Sequence, residues 1–236
     1  HPGGQALFGP GTRGHRDDGR VSAVLAFPIA DDAGCGQAIH HGHFDITYLR
    51  SLPNMTVMAP KDENELRHMI FTALNHTGPV AIRYPRGRGL GVPLDPDYKI
   101  IPIGESELLK EGKDLTLIAL GSMVSPCLEA AAEMEKEGLS ATVVNCRFVK
   151  PLDRRLADYS RKTGKVLVVE ENIQQGGLGS AVLELFSDMG IREVTVKRLG
   201  LPDSFVERGP VEVLKEKLGL DRAGIMKAAQ AILTVG

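Results

Sequence analysis

From residue 21 onward the chain alternates short apolar runs with amphipathic stretches. The apolar runs have the length of buried strands rather than of core helices, and they predict strands at 21–29, 55–59, 80–84, 115–120, 141–145, 165–169 and 193–197. Between them, apolar positions recur three and four residues apart. Asp62-x-x-Glu65 reads as a capping box, and Leu66, Met69, Ile70 and Leu74 follow along one face of a helix that runs to Asn75. Asp45 caps a shorter helix that carries Ile46 and Leu49 and stops before Pro53. Further helices are predicted from Ser125, with Pro126 in the first position, to Gly138, and over 153–162, 178–189, 211–218 and 222–233.

Strands alternating with helices predict an α/β fold whose sheet is mostly parallel and covered on both faces. Pro85-Arg86-Gly87-Arg88-Gly89 ends the third strand, and Pro93, Pro96 and Pro102 follow. Proline and glycine interrupt regular structure, so an extended linker and a domain boundary are expected between about 88 and 104. Residues 1–20 hold six glycines and only two large apolar side chains, Leu7 and Phe8. Such a segment cannot bury enough surface to offset its ordering entropy, which predicts a disordered arm. The resulting division is an arm over 1–20, a first domain over 21–95 and a second over 104–236.

Composition adds mostly exclusions. The formal charge is −2, with 42% hydrophobic and 25% charged residues, as in ordinary soluble proteins. No basic run interleaved with aromatics offers a nucleic acid a surface, and no apolar run is long enough to cross a membrane. Cys35, Cys127 and Cys146 are odd in number and far apart, which fits a reducing cytoplasm better than a disulfide framework. The chain starts His1-Pro2 with no signal-peptide pattern, as a processed or partial product would.

The chemistry concentrates in His40-His41-Gly42-His43-Phe44-Asp45, which holds three of the seven histidines. His41 and His43 can share one side of an extended chain, but no recognised zinc spacing is present. A loop histidine near a strand end suits proton transfer, or it serves only the loop's own hydrogen bonds. Arg83, Arg86 and Arg88 lie at a strand end beside glycines; their forked guanidinium groups fit a phosphate or carboxylate, or else form a solvated basic linker. Gly176-Gly177-Leu178-Gly179 precedes a helix, where exposed amides favour an anion, although neither a P-loop lysine nor a GxGxxG order accompanies it. The adjacent Glu170 and Glu171 are expected to point apart.

The run from His40 to Asp45, with Tyr48-Leu49-Arg50 and Pro53-Asn54-Met55, resembles the 1-deoxy-D-xylulose-5-phosphate synthase family. So do Met58-Ala59-Pro60, Arg83-Tyr84-Pro85-Arg86-Gly87, Arg147-Phe148-Val149-Lys150-Pro151-Leu152-Asp153, Glu170-Glu171-Asn172 and Gly200-Leu201-Pro202-Asp203, a set that extends from about Ile39 to the C terminus. The resemblance implies the later half of a transketolase-type pyrimidine-binding domain, followed by a complete transketolase C-terminal domain. It also implies a transferase of isoprenoid biosynthesis that uses thiamine diphosphate and magnesium to join pyruvate to glyceraldehyde 3-phosphate, working as a homodimer. His40 then assists proton transfer as the catalytic residue, while Arg86, with Arg83 beside it, holds the substrate phosphate.

The departures from that family are also informative. Asp32 stands where the family has a phosphate-contacting arginine, His43 replaces an alanine, and no Gly-Asp-Gly…Asn motif for diphosphate and magnesium occurs in this sequence. The isolated chain is therefore expected to bind neither thiamine diphosphate nor magnesium tightly and to be inactive. A noncatalytic dimerisation or docking module and a metal enzyme built on the histidine cluster are the competing expectations.

Overall fold

The computed structural model describes residues 24–29, 44–85, 89–204 and 211–234. The first sheet contains β1 (Val24–Ile29), β2 (Thr56–Met58), β3 (Val80–Pro85) and β7 (Phe148–Lys150). Its order is β1-β3-β2-β7, with the first three parallel and β7 antiparallel to β2. The second sheet contains β4 (Glu107–Lys110), β5 (Leu115–Ala119), β6 (Ala141–Asn145), β8 (Lys165–Ile173) and β9 (Thr195–Leu201). It runs β4-β6-β5-β8-β9, parallel except for β4. The helices are α1 (Asp45–Ser51), α2 (Glu63–Leu74), α3 (Val124–Lys136), α4 (Arg155–Thr163), α5 (Leu178–Asp188), α6 (Val211–Leu218) and α7 (Arg222–Leu233).

Three apolar clusters hold these layers together. On the first sheet, Met69 and Ala73 of α2 pack on Met58, Val80, Ile82 and Phe148. A second cluster joins the two sheets: Ile46 and Leu49 of α1, Val57 and Ala81 of the first sheet, Ile118, Val144 and Val168 of the second, and Leu178 and Val182 of α5. The third lies on the opposite face of the second sheet, under α3 and α7. Burying one such aliphatic side chain contributes roughly 1.5–3 kcal/mol, so the shared middle cluster binds α1 and both sheets firmly together.

Several details differ from the sequence reading. Asp45 is the first helical residue, not the cap, and its side-chain oxygen accepts the Ile46 amide at 2.8 Å. A 3-10 turn over Gly121–Met123 precedes α3, so Pro126 is the third helical residue. That position is tolerated because the first-turn amides have no acceptor within the helix. The last strand starts two residues later than expected, and β8 runs on through Glu170, Glu171 and Asn172 to Ile173. Two short antiparallel strands, β4 and β7, were not anticipated at all. Through β7 the C-terminal part of the chain supplies an edge strand to the first sheet.

Residues 89–106 are without helix or strand, as the linker reading expects, yet they are not loose. The polar face of α2 holds their backbone. The Glu63 carboxylate accepts the amides of Leu90, Gly91 and Val92 at 2.6–3.0 Å, and Asn64 accepts that of Asp95. His68 accepts the Lys99 amide, and Thr72 that of Ile101. Gly91 takes a left-handed turn (φ 78°) where the chain bends around Glu63.

Candidate functional site

His40 and Arg86, like Arg88, His41, His43, Asp32 and Cys35, lie outside the described residues. The strands that lead to them are described. Ile29 and Pro85, the last residues of β1 and β3, are register partners in a parallel pair. β1 and β3 therefore end side by side, and His40 and Arg86 follow them in the sequence. The C-terminal ends of parallel strands are where open α/β sheets commonly hold ligands.

Directly beneath is a buried chain of charges. Arg83, in β3, is 2% exposed, and its guanidinium meets carboxylate and carbonyl groups of its own chain rather than solvent. Its Nε lies 3.4 Å from Asp45 Oδ2 and its Nη1 3.9 Å from Glu171 Oε2, while Nη2 donates to the Glu171 carbonyl. Glu171 also accepts a hydrogen bond from the Ser122 hydroxyl at 2.7 Å and faces Lys215 of α6 at 3.6 Å. Negative and positive groups thus alternate from α1 through β3 and β8 to α6.

Burial pushes the Asp45 carboxyl above the usual carboxylate range, and Arg83 offsets this only in part. The geometry explains the shortfall: Asp45 Oδ2 and Arg83 Nε are both buried and face each other without a well-formed hydrogen bond. Glu171 goes the other way. Burial raises it too, but Arg83, Lys215 and the Ser122 hydroxyl outweigh burial and hold it below the usual range.

The glycine turn before α5 is occupied from inside. Leu178 and Gly179 donate their amides to the Glu170 carboxylate at 2.7 and 2.8 Å, so a side chain of the same chain fills the seat that the motif suggested for an anion. A Cβ at Gly177 would collide with Glu170 and Asn172, which explains the glycine there. From α1, Arg50 donates to the carbonyls of Gly176 and Gly177, and the Thr47 hydroxyl donates to that of Gln175. Glu170 and Glu171 do point apart, each into its own network.

Burial pushes Glu170 up to about 7 against the pull of these amides and of Arg83 and Arg50. The sign of the consequence follows. A carboxyl whose folded value is raised stabilises the fold below its ordinary value of 4.5 and loses that contribution as pH rises through about 7. Urea unfolding across this window is expected to show stability falling by as much as roughly 3 kcal/mol from this group. Glu170→Gln is expected to flatten the slope; an unchanged slope would assign it to other groups.

A second polar cluster joins the sheets. Glu65, 2% exposed, accepts from Lys61 N at 2.7 Å, Asn145 Nδ2 at 3.0 Å and Arg147 Nε at 2.6 Å. Arg147 also meets Glu107 at 3.0 Å, as does Lys61 at 2.8 Å. The capping box is half formed: Asp62 caps the Glu65 amide, but Glu65 turns back to Lys61 and not to Asp62. Nothing in the local sequence around Glu65 and Arg147 marks them as partners across 82 residues.

Among the described residues no group of three His, Cys, Asp or Glu is placed to hold a metal ion, and no helix is long and apolar enough to cross a membrane. Cys127 and Cys146 are free and buried, with their thiols pushed well above the ordinary range by burial.

Comparison with known proteins gives two family matches: the transketolase pyrimidine binding domain over residues 25–89 and the transketolase C-terminal domain over residues 104–225. The chain is 57% identical over 214 residues to 1-deoxy-D-xylulose-5-phosphate synthase 1 of Geobacter sulfurreducens, covering 90% of the chain and 34% of that protein. It is 47% identical over 213 residues to the synthase of Desulfitobacterium hafniense DCB-2, again covering 90% of the chain and 34% of the relative. A solved structure described as a split gene transketolase, an inactive beta4 tetramer, aligns with a TM-score of 0.76 and 39% identity, covering 90% of this chain and 66% of that one. The chain spans about a third of the length of the curated relatives it matches. The similarity also begins earlier than the Ile39 expected from motifs, since the first family match starts at residue 25.

Proposed function

Since the chain belongs to the transketolase family and matches the C-terminal third of 1-deoxy-D-xylulose-5-phosphate synthases, we propose that it is the pyrimidine-side and C-terminal part of such a synthase. The whole reaction joins pyruvate to D-glyceraldehyde 3-phosphate with thiamine diphosphate and magnesium, in the cytoplasm and in a homodimer. The observation that carries this reading is the 57% identity over 214 residues.

In this reading His40 is the catalytic residue that moves a proton at the reacting carbons, and Arg86 holds the substrate phosphate. The register pairing of Ile29 with Pro85, the described strand ends that precede His40 and Arg86 in the sequence, supports their acting together. The burial of Arg83 favours a supporting role for it, beneath that site, over direct contact with phosphate. The domain division at 95–104 belongs to this reading, with residues 89–106, whose backbone α2 holds, as the join.

The described residues do not fit the diphosphate and magnesium end of the cofactor. No three-residue metal cluster stands among them, and the glycine-turn seat before α5 is filled by Glu170. No chemical step through the cofactor is assigned to this chain. Calorimetric titration of the chain with thiamine diphosphate and magnesium is expected to show no binding in the micromolar range, and assays with pyruvate and glyceraldehyde 3-phosphate no turnover. Turnover by the chain alone would overturn the inactivity.

A noncatalytic dimerisation or docking module is the second reading. It is favoured by the similarity to a split gene transketolase whose β chains form an inactive tetramer. Self-association fits both readings, so copurification separates them: a cofactor-binding subunit that copurifies with the chain supports this module, and a strictly monomeric, partnerless chain counts against it.

A further inference from the structure

The two family-matched regions share more than a boundary. Successive side chains of a strand point to opposite faces of its sheet, and in the first sheet both faces are used. Met58 and Ile82 lie under α2, while Val57, Ala59 and Ala81 turn the other way, into the cluster that also holds Ile118, Val144 and Val168 of the second sheet. One face of the first sheet is thus closed by α2, and the other by α1 and the second sheet. Even the α2 side takes in Phe148 of β7, a residue of the C-terminal region.

Backbone and charge cross the same line. β7 pairs with β2, Val57 against Lys150 and Met58 against Phe148, so that without the C-terminal region the three-residue β2 would be an edge strand. Lys150 Nζ donates to the carbonyls of Arg50 and Leu52 at 2.9 and 2.5 Å and so caps the end of α1. Arg83 of β3 donates to the Glu171 carbonyl of β8, and Arg147 of the β6–β7 link donates to Glu65 of α2. Parting the regions would break these links and bring apolar side chains of both sheets into water.

We propose that the two regions fold and open as one cooperative unit, in which the C-terminal region is the structural partner of the first sheet as well as a domain of its own. Domains that move independently meet across small, polar interfaces. This interface is apolar at its centre, shares a strand and is crossed by buried charges. The boundary expected between about 88 and 104 then separates two family patterns and not two folding units. The task of the C-terminal region includes holding β1 and β3, the strands that precede His40 and Arg86 in the sequence.

Native-state amide hydrogen exchange on the intact chain tests this. β3 lies inside the first sheet and β5 inside the second, and the slowest amides of each report its opening. Ile225, fully buried on α7, packs in the cluster on the far face of the second sheet, whose members all come from the C-terminal region. Ile225→Ala is expected to lower protection in β5 roughly 100-fold, the ordinary cost of emptying such a site, and to lower it in β3 by the same factor. Met69→Ala, in the cluster between α2 and the first sheet, is expected to act equally on both strands from the other side. Protection that falls only in the mutated region, in either variant, would overturn the single unit. Should either variant not fold, Ile225→Val makes the same comparison on a smaller scale: a loss of about fivefold in both strands supports the unit, and the same loss in β5 alone overturns it.

Discussion

Arg83→Met is expected to destabilise the fold by about 3–5 kcal/mol near neutral pH, because it leaves charges buried without their partner. Methionine has similar length and packs well, so the loss is electrostatic and not a cavity effect. Asp45, 3% exposed at its side chain, loses the cation that offsets its burial. The Glu171 carbonyl loses its donor, although the Glu171 carboxylate keeps Ser122 and Lys215. The pH dependence has a definite sign. Burial already raises the Asp45 carboxyl, and removing Arg83 raises it further, so the added cost is present at high pH and fades as Asp45 takes up a proton. Urea unfolding of both proteins at about pH 8 and about pH 5 measures the difference. Arg83→Met/Asp45→Asn, which removes both charges, is expected to recover part of the loss. A loss below about 1 kcal/mol would instead mark Arg83 as a group free to serve a ligand.

The same residue shows where sequence reading stops. Arg83 and Arg86 look alike in Arg83-Tyr84-Pro85-Arg86-Gly87, both polar and both near a strand end. What separates Arg83 is that Asp45 and Glu171, 38 and 88 residues away along the chain, close over it; local spacing carries no trace of that. Periodicity did fix the elements whose burial is local and regular. The helix predicted over 222–233 has those bounds, and Asp62 caps α2 as expected. It failed for β4 and β7, which are four and three residues long and owe their strand conformation to pairing with β6 and β2. It also missed the last four residues of β8, where Glu170 and Glu171 sit in a strand because buried partners receive their side chains. The glycine turn was legible as an anion seat, but not that the Glu170 side chain occupies it.

Glu65→Ala is expected to be as costly as the loss of Arg83, about 3–5 kcal/mol, for a reason that involves both sheets. Glu65 sits on α2, over the first sheet; Asn145 ends β6 of the second, and Arg147 lies in the link between β6 and β7. Arg147 is held at φ 58°, a left-handed value that is unfavourable for a residue with a side chain. Its carbonyl accepts the Ala59 amide at 2.9 Å, and its Nε reaches Glu65 at 2.6 Å, so the backbone turn and the ion pair hold each other. Without Glu65, the Asn145 amide is left with Glu107 at 3.3 Å and Arg147 with Glu107 at 3.0 Å. Glu107 is only partly buried, so water competes for it and the remaining pairs are weaker. A double-mutant cycle with Arg147→Met, followed by urea unfolding, is expected to give a coupling above about 1 kcal/mol. Additive losses would mean that the two side chains act separately, and that β7 is kept on the first sheet by the packing of Phe148 against Met58 and Met69 rather than by this ion pair.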